Sequence, residues 1–152
     1  MKEITLTYYD GSHRQVVIED IEVPYPEGRL IVSRTDRKGI ITHCNQSFVD
    51  MSGYSEQELI GQPHSILRHP DMPRAAFKDL WDTLEQGKRW QGYVKNLRKD
   101  GKYYWVYATA IPNIRNGKTV GYTSVRRKPS RKNVEACIPL YAEMLQKERV
   151  AV

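Results

Sequence analysis

Cysteine is scarce in this sequence: Cys44 and Cys137 are the only two among 152 residues, far apart and outside any CxxC spacing. That argues against a disulfide framework and against a cysteine-ligated zinc site, and it fits a reducing, cytoplasmic compartment. Long apolar runs are missing as well. No stretch approaches the ~20 residues that a bilayer-spanning helix needs, and the opening "MKEITLTYYDGS" lacks the apolar centre of a secretory signal. No G-x-G-x-x-G follows a strand-like run, which disfavours a Rossmann-type dinucleotide site. His69 and Asp71 resemble a base and its orienter, but no nucleophile, metal triad or phosphate loop accompanies them, so an enzyme is not expected.

What is present is the composition of one globular domain with short appendages: 39% hydrophobic and 28% charged residues. The net charge of +6 gathers in "KNLRKDGK" (95–102) and "RRKPSRK" (126–132). Both read as solvated turns or a helix entrance. Nucleic-acid binding would need a reading element as well, and none is visible. A weak attraction to an anionic membrane surface stays open.

Residues 1–22 read as a β-hairpin around Asp10-Gly11, and 23–29, "VPYPEG" with its neighbours, as a linker. Two short strands follow at about 30–35 and 39–44, then short helices broken by Gly53, Gly61 and Pro63. Asn45 and Ser55 suit N-caps, and Ser55 with Glu58 has capping-box spacing. Phe77, Leu80, Trp81 and Leu84 fall on one face of a longer helix, with Pro73 in its first turn and Gly87 after its end. Strands at about 90–98, 103–113 and 119–127 are joined by "KDGK" and "RNGK" turns. The tail from 129 to 152 is helical, with a seam of Val134, Ile138, Tyr141 and Leu145. Pro139 predicts a kink or two short helices there. Strands segregated from helices predict an α+β domain, an antiparallel sheet covered on one face. The stripes Ile4/Leu6/Tyr8 and Val134/Ile138/Tyr141/Leu145 are expected to be exposed and to favour a homodimer.

Three stretches carry a family resemblance: "TDRKGIITHCNQSFVDMSGYSEQELIGQ", "GKRWQGYVKNLRKDGKYYWVYATAIPNIRNGKTVGY" and the spacing between them. Residues 30–128 resemble the PAS sensory domains, which implies a five-stranded antiparallel sheet. Within that class "GQPHSILRHPDMPRAAFKDLW" and "VEACIPLY" are similar to the bacterial aerotaxis receptors. That resemblance implies non-covalent FAD binding, redox or oxygen sensing, and output to chemotaxis proteins or another signalling domain. The chain lacks their membrane segment and signalling helices, and the N-terminal hairpin is a departure from them. It is expected to be the sensor portion of a longer receptor on the cytoplasmic side of the membrane, or a stand-alone relative.

The candidate ligand residues follow. Arg68, His69 and Asp71, stiffened by Pro70 and Pro73, read either as a helix entrance, with Asp71 capping and pairing with Arg68, or as a cradle for FAD. Capping and binding are compatible. Asn96 shares a strand face with Trp90, Gly92 and Val94, and its buried amide needs partners: a flavin edge or the backbone. Trp90 reads as a ring wall or core, and Gly92 as a place where a ring approaches the sheet closely. Asn45 is a cap first and a ligand contact second. Phe77 and Trp81 are core that would also line any cavity between helix and sheet. Flavin photoreceptor relatives carry a reactive cysteine in an N-C-R-F-L-Q motif, whereas this region reads "ILRHPDMP"; Cys44 reads as an inert thiol. A haem-binding domain would need His64 or His69 as axial ligand, because 73–86 holds no histidine. A ligand-free dimerisation module is the remaining alternative.

Overall fold

Period-two alternation and turn chemistry build the scaffold. The structure, a computed structural model, describes residues 2–7 and 13–150. β3 (Ile31–Thr35), β4 (Ile41–Cys44), β5 (Trp90–Leu97), β6 (Tyr103–Arg115) and β7 (Lys118–Arg127) form one antiparallel sheet in the order β4-β3-β7-β6-β5. Asn116 and Gly117 both adopt positive φ, which is why the Asn-Gly pair closes the long β6–β7 hairpin. α1 (Gln46–Ser52), α2 (Glu56–Leu59), a 3-10 turn (His64–Leu67) and α3 (Arg74–Glu85) cover one face. The core between the layers includes Ile31, Ile41, Phe48, Leu59, Leu67 and Val106. Asn45 caps α1, accepting from the Phe48 amide, and the Ser55/Glu58 capping box is complete.

The N-terminal hairpin, β1 (Lys2–Thr7) and β2 (His13–Ile18), is a separate two-stranded sheet. Its expected Asp10-Gly11 turn and Tyr8 lie outside the described residues. The stripe expected to be exposed is instead seated on the domain: Leu6 and Val16 are buried against Leu97, with Ile4 beside them. The linker is docked as well, because Tyr25 is buried in the main core.

The C-terminal segment corrects two expectations. α4 (Arg131–Val150) is one continuous helix with Pro139 inside it, rather than two short helices. Packing along its length holds the helix together across the one backbone donor that proline removes. The packed face also differs from the expected seam. Val134 is buried and Tyr141 packs on the core, whereas Ile138 is 46% exposed. Tyr141 stacks on Trp105, and its hydroxyl donates to the Tyr93 carbonyl at 2.7 Å. No helix among the described residues is long and apolar enough to cross a membrane.

Asp71 does not cap α3. Pro73 holds the N-cap position and offers no side-chain acceptor. Glu148 of α4 supplies it from outside: its carboxylate accepts from the Arg74 and Ala75 amides, both at 2.9 Å. A negative charge is favoured there by the helix dipole. Replacing Glu148 by Ala is expected to cost about 1 kcal/mol, the usual worth of an N-cap. Urea unfolding checks this, and an unchanged midpoint contradicts the cap.

Candidate ligand cavity

Between α3, the 3-10 turn and the inner face of the sheet lies a cavity of about 910 Å³. That is near the top of the ~300–1,000 Å³ range of ligand pockets. Trp81, Phe77, Leu84, Trp90, Val94 and Ala108 supply apolar wall. The indole of Trp90 is pinned by donating to the Asp79 carboxylate at 2.9 Å, and Trp81 meets Tyr122 edge-on at 5.2 Å. Small residues on β6, Ala108 and Ala110, leave the space above the sheet open.

The charges are one-sided. Arg14, Arg37, Lys38, Arg68 and Arg126 line the cavity, and Glu85 is the only carboxylate among the described residues that does. Two of these cations are buried. Arg126 is 3% exposed and ties four elements together. It donates to His64 Nε2 at 2.7 Å and to Ser33 Oγ at 2.8 Å, and it lies over the Phe48 ring at 4.7 Å. All these partners are neutral, and its Nε has no hydrogen-bond partner. Burial lowers the Arg126 pKa to about 10. Arg68, 4% exposed, donates to the Met72 carbonyl at 3.1 Å and stacks over Phe77 at 4.5 Å. Its backbone bridges to Asn96 on β5.

His64 accepts from a permanent donor, so its proton sits on Nδ1 and the ring is neutral. Burial first, and the Arg126 charge second, lower its pKa to about 3. His69 is likewise neutral: its Nδ1 accepts from the Asp71 amide at 3.0 Å, and burial followed by the Lys95 charge lowers its pKa to about 4. The Asp71 carboxylate therefore makes no ion pair with His69, 3.9 Å away, and pairs with Lys95 at 2.8 Å.

The structure thus divides the expected site residues. Arg68, Asn96, Trp90, Phe77 and Trp81 line the cavity; His69, Asp71, Asn45 and Gly92 do not. His69 packs edge-on against Tyr103 and holds the loop from behind. Asp71 neither caps α3 nor pairs with Arg68 in the contacts it makes through Lys95. The Asn45 amide is consumed by the backbone of Val32, Leu30 and Phe48. Gly92 does admit a ring, but the ring is that of Trp90: a Cβ there would lie 2.6 Å from it. Asn96 lies within hydrogen-bonding reach of the Tyr104 hydroxyl and faces the cavity. Arg126 was hidden inside a run that reads as a solvated basic turn. Alternation along β7, with Tyr122, Ser124 and Arg126 on one face, is the signal that picks it out.

The family model described as PAS fold matches residues 41–126, and the chain belongs to the PAS family. It is a sensory-type domain rather than an enzyme. The aerotaxis receptor of Escherichia coli K12 is 50% identical over 131 residues, 86% of this chain and 26% of the receptor. The nitrogen fixation regulatory protein of Klebsiella pneumoniae is 29% identical over 102 residues, 66% of this chain and 21% of that protein. The chain thus spans about a quarter of the length of these curated relatives. Among solved structures, a light-oxygen-voltage domain studied with a flavin analogue superposes with a TM-score of 0.63 at 24% identity, covering 72% of this chain and 83% of that one. A PAS domain from Colwellia psychrerythraea gives 0.56 at 26%, covering 67% and 87%.

His64, half-buried, and His69, buried, make stability depend on pH. Their pKa values in the fold lie below the ordinary 6.5. Their contribution is therefore complete above pH 6.5 and is lost as pH falls towards 4, by up to about 1.4 kcal/mol per pH unit for each ring. Urea midpoints measured between pH 7 and pH 4.5 should fall, and His64→Gln should flatten the slope. A flat wild-type profile contradicts the neutral assignment.

Proposed function

We propose that this domain binds FAD non-covalently in the cavity and reports the redox state of the flavin to an output partner. The observation that carries the reading is Arg126: a buried guanidinium with neutral partners and an orphaned Nε, in a cavity walled by aromatic rings. Such a charge costs free energy until an anionic or strongly accepting group meets it. The residues present suit a flavin. Trp81, Phe77 and Trp90 offer flat apolar walls, Asn96 offers an amide that donates and accepts, and Arg126 and Arg68 offer cationic donors. The size of the cavity favours a dinucleotide over a bare ring. Likeness to the E. coli aerotaxis receptor supports the same reading. Haem fits less well, because His64 Nε2 is committed to Arg126 and His69 lies outside the cavity.

A bound flavin supplies a ring that takes up electrons, with protons or as negative charge. Arg126 and Arg68 hold positive charge beside the cavity, and the aromatic walls exclude water. Asn96 can turn its amide between donor and acceptor toward the ligand edge. It sits on β5 three residues from Tyr93, whose carbonyl and hydroxyl are both bonded by α4, through Tyr141 and Asn133. α4 also caps α3 through Glu148. One helix therefore touches both walls of the cavity, and a differential contact at Asn96 has a short route to the C-terminal segment.

In this reading the output is a chemotaxis protein or another signalling domain, and the domain works on the cytoplasmic side of the membrane, near an anchor borne by a longer receptor. Ile138 and Leu140, exposed on α4, support a homodimer, and sedimentation of the chain as a monomer contradicts that part.

The visible spectrum of purified protein tests the cofactor. A structured band in the blue supports flavin, a Soret band supports haem, and neither supports an empty domain. Arg68→Ala and Arg126→Met should each give folded protein that has lost most of its flavin. Loss of a charge-assisted bond of about 1.5–3 kcal/mol weakens binding roughly ten- to a hundredfold. Folded protein that keeps its full flavin content in both variants contradicts the cradle.

A further inference from the structure

Strand register brings three turns to one end of the sheet. Thr35, closing β3, pairs with Tyr122 of β7, and Trp90, opening β5, pairs with Ala110 of β6. The β3–β4 turn, the α3–β5 turn and the tip of the β6–β7 hairpin therefore share that end. Past those pairs the hairpin runs on from Ile111 to Gly121 with no further strand paired beside it.

That end gathers cations. Arg37 and Lys38 come from the first turn, Lys88 and Arg89 from the second, and Arg115 and Lys118 from the tip; all six are exposed. Among the described residues none of the six makes an ion pair. By contrast Lys95, Arg98, Lys99, Lys128 and Arg131, in the two basic runs of the sequence, are each paired with a carboxylate. The runs that stand out in the sequence are thus mostly neutralised, and the uncompensated charge lies at the turns. Two carboxylates belong to the same end. Asp36 serves its own turn, accepting from the Lys38 and Ile40 amides at 2.8 and 3.0 Å. Glu85 ends α3 and borders a shallow depression with Arg37 and Lys118. The hairpin carries no acid at all, since no Asp or Glu occurs between Asp100 and Glu135.

The tip is apolar as well as cationic. Ile114, beside Arg115, is 58% exposed, and Val120, two residues after Lys118, is 49% exposed. The charges are spread over three separate turns around a protruding apolar tip. That suits a flat field of anionic headgroups with hydrocarbon beneath it better than a fixed set of carboxylates. We propose that this end of the domain docks on an anionic lipid surface, with Ile114 and Val120 entering the headgroup layer and the six cations around them. The proposal is independent of the flavin reading.

The test is flotation of the full chain with vesicles of phosphatidylcholine alone, or of equal parts phosphatidylcholine and phosphatidylglycerol. Binding should require phosphatidylglycerol and weaken at moderate salt. Arg115→Gln and Lys118→Gln should each weaken it about fivefold, the usual worth of one cation near such a surface. Lys99→Gln and Lys128→Gln remove the same charge from paired sites and should each change it less than about twofold. Ile114→Ser combined with Val120→Ser should weaken it about tenfold with the net charge unchanged. All these positions are exposed, and unchanged circular dichroism shows that each variant is folded. Equal losses from the paired and the unpaired cations overturn the docking face, as does a double serine variant that binds like wild type. Tighter binding to soluble polyglutamate than to the anionic vesicles also overturns it, by assigning the cations to an acidic protein. Absence of binding to both vesicles overturns it outright.

Discussion

A positive charge enclosed without an acid sets the terms for the centre of this molecule. Arg126 lies inside the domain, and what it touches is neutral: a histidine, a serine hydroxyl and a phenylalanine face. Each contact draws a different element inwards. Ser33 belongs to β3, His64 to the 3-10 turn and Phe48 to α1, while Arg126 itself is on β7. The neutrality of His64 follows from its partial loss of water and from the permanent cation beside it. The sheet and its covering helices are thus tied at one point by hydrogen bonds that leave the charge itself uncompensated. A core built only for stability would favour an apolar residue there. An arginine at that position is what the proposed flavin site would account for.

The second cation shows how the cavity is kept open. Arg68 lies over Phe77 and bonds the Met72 carbonyl, so the entrance of α3 is braced from within. The same residue bridges to Asn96, which fixes the spacing between that entrance and β5. Trp90, tied to Asp79 on α3, braces the far end. Between the two braces the sheet carries alanines, and the volume that larger side chains would fill stays open.

α4 ties both walls of this cavity to the C-terminal segment. Its Tyr141 side holds β5 and its Glu148 side holds α3. The helix entrance that carries no cap of its own is completed by a residue seventy-four positions downstream. Dependence of this kind couples the covering helix to the tail, because neither end is satisfied when the other moves.

Much of this architecture was legible in local chemistry. Alternation along 90–97, the Asn-Gly turn, the Ser55/Glu58 box and the Phe77–Leu84 stripe each depend on neighbours within a few residues, and each formed where the sequence placed it. Arg68, Asn96, Phe77, Trp81 and Trp90 were likewise legible as cavity residues from periodicity and family motif together. Long-range competition decided the rest. Asp71 was a reasonable cap until Lys95 offered a closer charge, and the α3 entrance then took Glu148. Pro139 was a reasonable break until packing along α4 outweighed one lost donor. Ile138 left the expected seam, exposed on a helix whose Tyr141 ring stacks on Trp105. Arg126 carried no local mark of burial, since a basic run looks the same whether it faces water or a cavity. Local spacing determines which elements form; only the packed structure determines which polar groups lose their water and which partners they find there.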